Sequence, residues 1–350
     1  MTQLINIKSV TVVVRTVFLV FTIGLGFLLN SGHAEAKCSK ELPLTFADFS
    51  WDSAKLHTSI ASFIAQYGYG CSVSTEEGDT LVSLERISNG KIDVIMEVWK
   101  DNIVEDWMNA DESGQIIDAG INFSNASQGW YVPSYMISGD KKRGIEAVAP
   151  DLKSLDDLKR YGKFFISPQK NAPAQFLNCP KGWACAAINS KKLKIYGLEE
   201  KFKNIYPESG KDLDDLIIER YNKGLPFLAY YWTPTWIVGA YNLIRLAEPA
   251  YDENIWQKLV NSETPKNATE YPTSTILKGV NFSVELDAPQ LMKFLRRYNL
   301  SVQILGELLA IRKAKNISID DTAKYFLVNY PTIWHSWVSK EALPRIQEKL

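Results

Sequence analysis

Residues 44–77 read LTFADFSWDSAKLHTSIASFIAQYGYGCSVSTEE, and this stretch sets the architecture. LTFADF (residues 44–49) is a short, mostly apolar run of the length of a buried strand. After it Leu56, Ile60, Phe63 and Ile64 recur at helical spacing until Tyr67-Gly68-Tyr69-Gly70 stops the helix. CSVSTEE (residues 71–77) returns to strand. The pattern then repeats: Leu81, Leu84 and Ile87 mark a second helix closed by Asn89-Gly90, and IDVIMEVW (residues 92–99) is a third strand. Strand–helix–strand–helix–strand with short turns predicts right-handed crossovers and a parallel sheet.

Further on, GWYVPSYMI (residues 129–137) is apolar and aromatic with a proline inside, as expected of a strand that leaves one sheet for another. A second α/β unit follows, with strands at KFFISP (163–168), NIYP (204–207) and PFLAYYW (226–232). Between the last two, KDLDDLIIERYNKG (211–224) places Leu213, Leu216, Ile217 and Tyr221 on one helix face. LIRLAEP (243–249) is another strand candidate, and helical and loop segments, among them LMKFLRRYNL and ILGELLAIRKA, run to Leu350. The expected fold class is α/β, two lobes joined by more than one crossover, each a mainly parallel sheet flanked by helices. Residues 37–133 with 237–350 form the first lobe, residues 134–236 the second, and the ligand cleft lies between them.

Residues 1–36 stand outside that fold. Lys8 and Arg15 give a basic start, VFLVFTIGLGFLL (17–29) an apolar stretch, and Ala34-Glu35-Ala36 an A-x-A cleavage pattern. The alternative, a membrane anchor, is disfavoured because the apolar run falls short of the ~20 residues that a spanning helix needs. The mature chain is expected to begin near Lys37 and to work in the periplasm. All four cysteines, Cys38, Cys71, Cys179 and Cys185, lie in it. An even number in an oxidising compartment reads as two disulfides: Cys179–Cys185 by proximity and Cys38–Cys71 by elimination. With no C-x-x-C and only His57 and His335 in the mature part, no metal is expected, and nothing points to a cofactor. The chain holds 39 Lys/Arg and 40 Asp/Glu; without Lys8, Arg15 and Glu35 the mature part is near neutral and has no basic tract for nucleic acid.

The ten tryptophans all fall in the mature part. In parallel α/β sheets ligands bind outside the carboxyl ends of the strands. Trp51 follows the first strand, Trp99 ends the third, Trp232 ends PFLAYYW, Trp130 opens the crossover strand, and Trp183 sits where ACAAINSKKL begins a helix. Any single tryptophan is more often core packing, and Trp107, Trp256, Trp334 and Trp337 are read so; Trp236 would at most brace the site. The convergence of the other five is the signal. Indole faces attract a cation that cannot hydrogen-bond, such as a quaternary ammonium, at about 0.5–2 kcal/mol per contact.

NCPKGWACAAIN (178–189) supplies the other half of a ligand. A Cys179–Cys185 bridge fixes Trp183 before binding and so lowers the ordering cost. Gly182 permits a tight backbone path. The N–H groups of Ala184, Cys185 and Ala186 at the helix start would meet an anion such as a carboxylate. A cation cage beside an anion-binding helix terminus describes a receptor for a small zwitterion.

At these residues the sequence resembles the glycine betaine binding proteins of osmoprotectant ABC importers. The resemblance spans most of the mature chain and rests on DVIMEVW ending at Trp99, CPKGWAC around Trp183 and YYWTPTW around Trp232. It implies that Trp99, Trp183 and Trp232 box a trimethylammonium, with the amides of Ala184 and Cys185 on the carboxylate. It also implies the fold of a two-lobed, type II-like periplasmic binding protein that closes on its ligand and, as a monomer, delivers it to a membrane permease and its ATPase. One departure is that Trp99-Lys100-Asp101-Asn102 lacks the histidine that better-known members carry just after the first tryptophan block. Trp51 and Trp130 are extra cage candidates. Glycine betaine is the expected ligand, with trimethylamine N-oxide, choline, proline betaine and a sulfonium relative, dimethylsulfoniopropionate, left open. For an N-oxide, Glu97 is a possible polar contact.

Catalysis is not expected. His57 reads as a surface residue, no Gly-x-Ser-x-Gly elbow or P-loop occurs, and the Asp214-Asp215 and Asp320-Asp321 pairs read as solvated. A sensory receptor of the same fold, without transport, is the alternative.

Overall fold

The structure, a computed structural model, describes Cys38, residues 43–165 and residues 173–350; the export signal expected over residues 1–36 lies outside them. β1 (Leu44–Asp48) is followed by helix α1 (Asp52–Phe63), which continues through a π-turn (Ile64–Gly68), and then by β2 (Val73–Glu77), α2 (Thr80–Ser88) and β3 (Val94–Val98). β1 pairs in parallel with β2, from Leu44 opposite Val73 to Asp48 opposite Glu77, and with β3 at Phe46 and Val94. The strand–helix repeat read from residues 44–99 is therefore present.

After α3 (Val104–Glu112) comes β4 (Ile116–Pro133), 18 residues long. The second unit follows: β5 (Ala174–Leu177), α4 (Ala184–Ile195), β6 (Phe202–Ile205), α5 (Gly210–Asn222), β7 (Leu228–Thr233) and β8 (Leu243–Arg245). The chain then forms α6 (Glu253–Asn261), β9 (Ser274–Asn281), α7 (Pro289–Arg297), α8 (Val302–Lys315) and α9 (Ile319–Asn329). The strand order is β2-β1-β3-β9-β4-β7-β5-β6, with β8 on β4.

β4 belongs to both halves of this array. Its residues Ile116 to Ala126 pair antiparallel with β9, and Ser127 to Tyr131 pair antiparallel with β7. One residue before the change of partner, Asn125 has φ 65°, a left-handed conformation that asparagine tolerates better than most residues. The strand expected to leave one sheet for another is thus found, though it begins well before Gly129. β8 pairs with the Tyr131–Pro133 end of β4 and so lies with the second half.

Two expectations need correction. KFFISP is not a strand where it is described: Gly162–Phe164 make a 3₁₀ turn, and Phe165 plugs the core against Phe202, with ring centroids 5.4 Å apart. Residues 166–168 lie outside the described residues. The ladder position is taken by AQFL of β5, which pairs in parallel with β6 and β7. The region after LIRLAEP is also not helix and loop alone, because β9 lies there between β3 and β4. Lys278 in its middle gives it a half-exposed look, yet Lys278 is buried, its Nζ donating to the carbonyls of Ile121 and Tyr298 at 2.7 and 2.5 Å.

Both disulfides are formed, Cys38–Cys71 and Cys179–Cys185. Among the described residues no helix is long and apolar enough to cross a membrane.

Candidate functional site

Four tryptophans are carried to one place by strand ends and helix starts. Trp51 caps the start of α1 just after β1, Trp99 follows β3, Trp183 caps the start of α4, and Trp232 lies near the end of β7. They line a cavity together with Ala184 and Cys185, the first residues of α4. Trp183 stands at the centre, edge-on to Trp51 at 4.8 Å and to Trp232 at 5.1 Å between ring centroids. Phe49 stacks behind Trp51 at 4.5 Å and 10°.

The rings are held by their N–H groups. Glu97, two residues before Trp99 in β3, accepts from Trp51 Nε1 at 2.7 Å and from Trp99 Nε1 at 3.1 Å on the same oxygen, Oε2. Trp183 Nε1 donates to Ser50 Oγ at 3.2 Å. Burial pushes the Glu97 carboxyl up to about 7, against the lowering effect of the indole hydrogen bonds.

The polar side of the cavity is formed by Asn102, Gln128, Tyr230 and Thr80. Asn102 and Gln128 exchange amide hydrogen bonds of 2.9 and 3.2 Å, and Tyr230 donates its hydroxyl to Gln128 Oε1 at 2.8 Å. Burial holds the Tyr230 phenol well above its usual range, so it remains a donor. None of these residues was singled out from sequence. Tyr230 was legible, since residues i and i+2 of a strand share a face and Trp232 was already placed. Asn102 and Gln128 gave no such signal.

Of the residues expected at the site, the structure brings Trp51, Trp99, Trp183, Trp232, Ala184 and Cys185 to the cavity and does not bring Trp130. Trp130 lies opposite Tyr230 in the β4–β7 ladder, on the face of Trp232 but further from the strand end. There α4 covers it: it is wholly buried, its Nε1 donates to Asn189 Oδ1 at 2.7 Å, and its ring lies 4.3 Å from that of Phe176. Glu97 stands behind two of the rings and does not line the cavity. The Ala186 amide is committed to the Trp183 carbonyl at 3.0 Å. Gly182 is needed for close approach more than for its backbone path, because a Cβ there would fall 1.6 Å from Asp79 Oδ2.

His57 also needs correction. It is fully buried on α1, with Nδ1 2.7 Å from the Tyr298 hydroxyl, Nε2 3.8 Å from Glu97 Oε1, and its ring stacked on Phe123. Burial lowers its pKa to about 3, with the Lys278 charge adding to the effect. Asp214 is not freely solvated either: Tyr231 donates to it at 2.6 Å, and burial pushes it up to about 7.

Among the residues lining the cavity none carries a formal charge. A largely buried site of that kind penalises a ligand's charge unless ring faces and backbone dipoles meet it. Four indoles, the opening amides of a helix and an amide–phenol cluster can accept a small ligand with a methylated, positive end and a compact polar end. No group of residues able to hold a metal ion occurs among those described.

A sequence model of the family described as the substrate binding domain of ABC-type glycine betaine transport system matches residues 43–329. The chain is 27% identical over 118 residues to a glycine betaine/proline betaine-binding periplasmic protein of Salmonella typhimurium, a match covering 34% of this chain and 33% of that protein. It is 19% identical over 304 residues to a trimethylamine N-oxide-binding protein of Pelagibacter ubique, covering 87% of this chain and 93% of that protein. A solved glycine betaine, L-proline ABC transporter binding protein of Borrelia burgdorferi superposes with a TM-score of 0.67 at 16% identity, covering 87% of this chain and all of that one. That likeness shows the fold, a two-lobed periplasmic binding protein of the type II-like class.

Proposed function

The chain belongs to the substrate-binding domains of ABC-type glycine betaine transport systems, and on that premise we propose that its four-tryptophan cavity binds a small methylated-amine zwitterion, glycine betaine first, for delivery to an importer. Proteins of this family bind substrate for ABC transporters and are not enzymes. The observation that carries the reading is the convergence of Trp51, Trp99, Trp183 and Trp232 on one uncharged cavity. In this reading the methylated nitrogen sits among the four rings, and the carboxylate meets the amides of Ala184 and Cys185, which open α4 and have no intrahelical acceptor. The protein acts as a periplasmic monomer whose two lobes, divided where β4 changes partner and not at residues 133/134 as the sequence suggested, close on the ligand before it docks on a permease with its ATPase.

A second reading is trimethylamine N-oxide. Two observations favour it: the polar wall is neutral amide and phenol, suited to a single oxygen, and the Pelagibacter ubique relative matches along 87% of the chain. Calorimetric titration of residues 37–350 with both compounds separates the two. Tighter binding of glycine betaine supports the helix-terminus carboxylate site; tighter binding of the N-oxide supports the second reading. Binding of neither refutes both.

A further inference from the structure

We propose that Glu97 is the positioning residue of the tryptophan cage, a buried carboxylate that joins Trp51 to Trp99 and supplies from behind the rings the negative charge that the cavity wall lacks. The proposal rests on reading the cavity as a methylated-amine site.

Three observations carry it. One oxygen, Oε2, accepts both indole N–H groups, at 2.7 and 3.1 Å, so a single side chain sets two rings that come from different strand ends. Glu97 is only 2% exposed, and no lysine or arginine pairs with it among the described residues. Its other oxygen, Oε1, has no hydrogen-bond partner and faces His57 Nε2, which has none either, across 3.8 Å. A neutral phenylalanine-like filler would pack this position at lower cost, since an unpaired buried carboxylate is expensive. Its placement is explained if the missing counter-charge is the ligand.

The groups that face Glu97 are few. His57 and Ser53 approach from α1, Trp51 from the start of α1, and Trp99 from the end of β3. The Tyr298 hydroxyl stands behind His57, and Lys278 beyond it on β9 is held by two carbonyls, its pKa brought down by burial to about 7. His57 is neutral at neutral pH, because burial keeps its pKa near 3. Glu97, pushed up to about 7, is there divided between its acid and its carboxylate.

A methylated cation in the cage favours the carboxylate form. Binding near neutral pH then drives the Glu97 proton out to the buffer, and affinity increases as pH rises through about 7. Ionisation strengthens the indole hydrogen bonds as well, since charge-assisted bonds are the stronger ones. Positioning and charge therefore act in the same direction.

The test uses tetramethylammonium, which has no anionic end, and glycine betaine, titrated into the mature chain from pH 5.5 to 8.5. For wild type, affinity for tetramethylammonium should rise about tenfold across this range, the effect of a ligand that lowers one carboxyl pKa by about one unit. Glu97→Gln keeps a carbonyl acceptor for both indoles and removes the charge, so its affinity should stay flat at the low-pH wild-type level. Should that variant not fold, calorimetry of wild type at pH 7 in two buffers of different ionisation enthalpy gives the same answer, with release of a fraction of a proton expected. A Glu97→Gln profile that follows wild type at every pH, or no proton release by wild type at pH 7, overturns the proposal. Failure of wild type to bind either compound at any pH overturns the reading of the cavity itself, and the proposal with it.

Discussion

Trp183 Nε1 donates to Ser50 Oγ across 3.2 Å, joining the first residue before α4 to the loop that follows β1. The two residues belong to opposite halves of the sheet array, so this bond ties the halves together beside the cavity. The Trp183 ring, lodged between Trp51 and Trp232, is thus both wall and latch.

Trp183→Ala and Trp232→Ala should each weaken ligand binding by roughly 3- to 30-fold, the range set by about 0.5–2 kcal/mol per cation–ring contact. Trp256→Ala should behave differently. Trp256 is buried away from the cavity with its Nε1 on the Asp101 carbonyl at 2.7 Å, and its loss should cost about 3–5 kcal/mol of stability. Titration and thermal melting on the three variants check this; equal affinity losses at all three would show a general loss of structure.

Gly182→Ala should impede closure. The added Cβ meets the Asp79 carboxylate at 1.6 Å and its Cβ at 2.7 Å, and in the proposed reading these contacts lie across the cleft that closes on the ligand. Affinity should fall while the melting temperature of the ligand-free protein holds. Asp79→Gly in the same chain should restore binding, and a double-mutant cycle showing no coupling would refute the clash.

The two disulfides should separate by role. Cys38–Cys71 closes a separation of 33 residues and Cys179–Cys185 one of 6. Loop-closure entropy gives the longer about 4 kcal/mol and the shorter about 2. The Cys38→Ser/Cys71→Ser pair should lower the melting temperature more, whereas Cys179→Ser/Cys185→Ser should cost more affinity by freeing Trp183. The opposite ranking in both measurements would contradict this.

Stability should depend on pH through Glu97 with a definite sign. Its folded pKa, about 7, lies above the ordinary 4.5, so the fold favours the protonated form. That advantage is complete below pH 4.5 and is lost as pH rises through 7. Glu97→Gln should therefore gain on wild type between pH 4.5 and 7, by up to about 3 kcal/mol, and then stay level. His57 acts in the other direction, its depressed pKa withdrawing stability as pH falls from 6.5 towards 3. Comparing the variant with wild type by urea unfolding cancels that part. A difference that does not change with pH would refute the assignment.

What the sequence disclosed follows from which signals are local. β1, α1, β2, α2 and β3 are each bounded by their own turn residues, and the tryptophans at strand ends needed only the rule that ligands sit at carboxyl edges. β9 was hidden because Lys278, a charged residue in mid-strand, is satisfied by two carbonyls from distant segments. His57 was misjudged for a similar reason: α1 is covered on more than its apolar face, by Tyr298 on one side and Phe123 on another. Trp130 shares a strand face with the cavity residues, and only the position of α4 above it shows that it lies too deep.

β4 has a mechanical consequence. One unbroken strand is bonded to β9 along one stretch and to β7 along the next, with the left-handed Asn125 beside the junction. Ladder bonds on both sides oppose sliding, so in the closure proposed above a swing of one half against the other would twist this ribbon. Such a joint would work like a leaf spring with one soft point: it would fix the path of the proposed swing and return the jaws to the same registration.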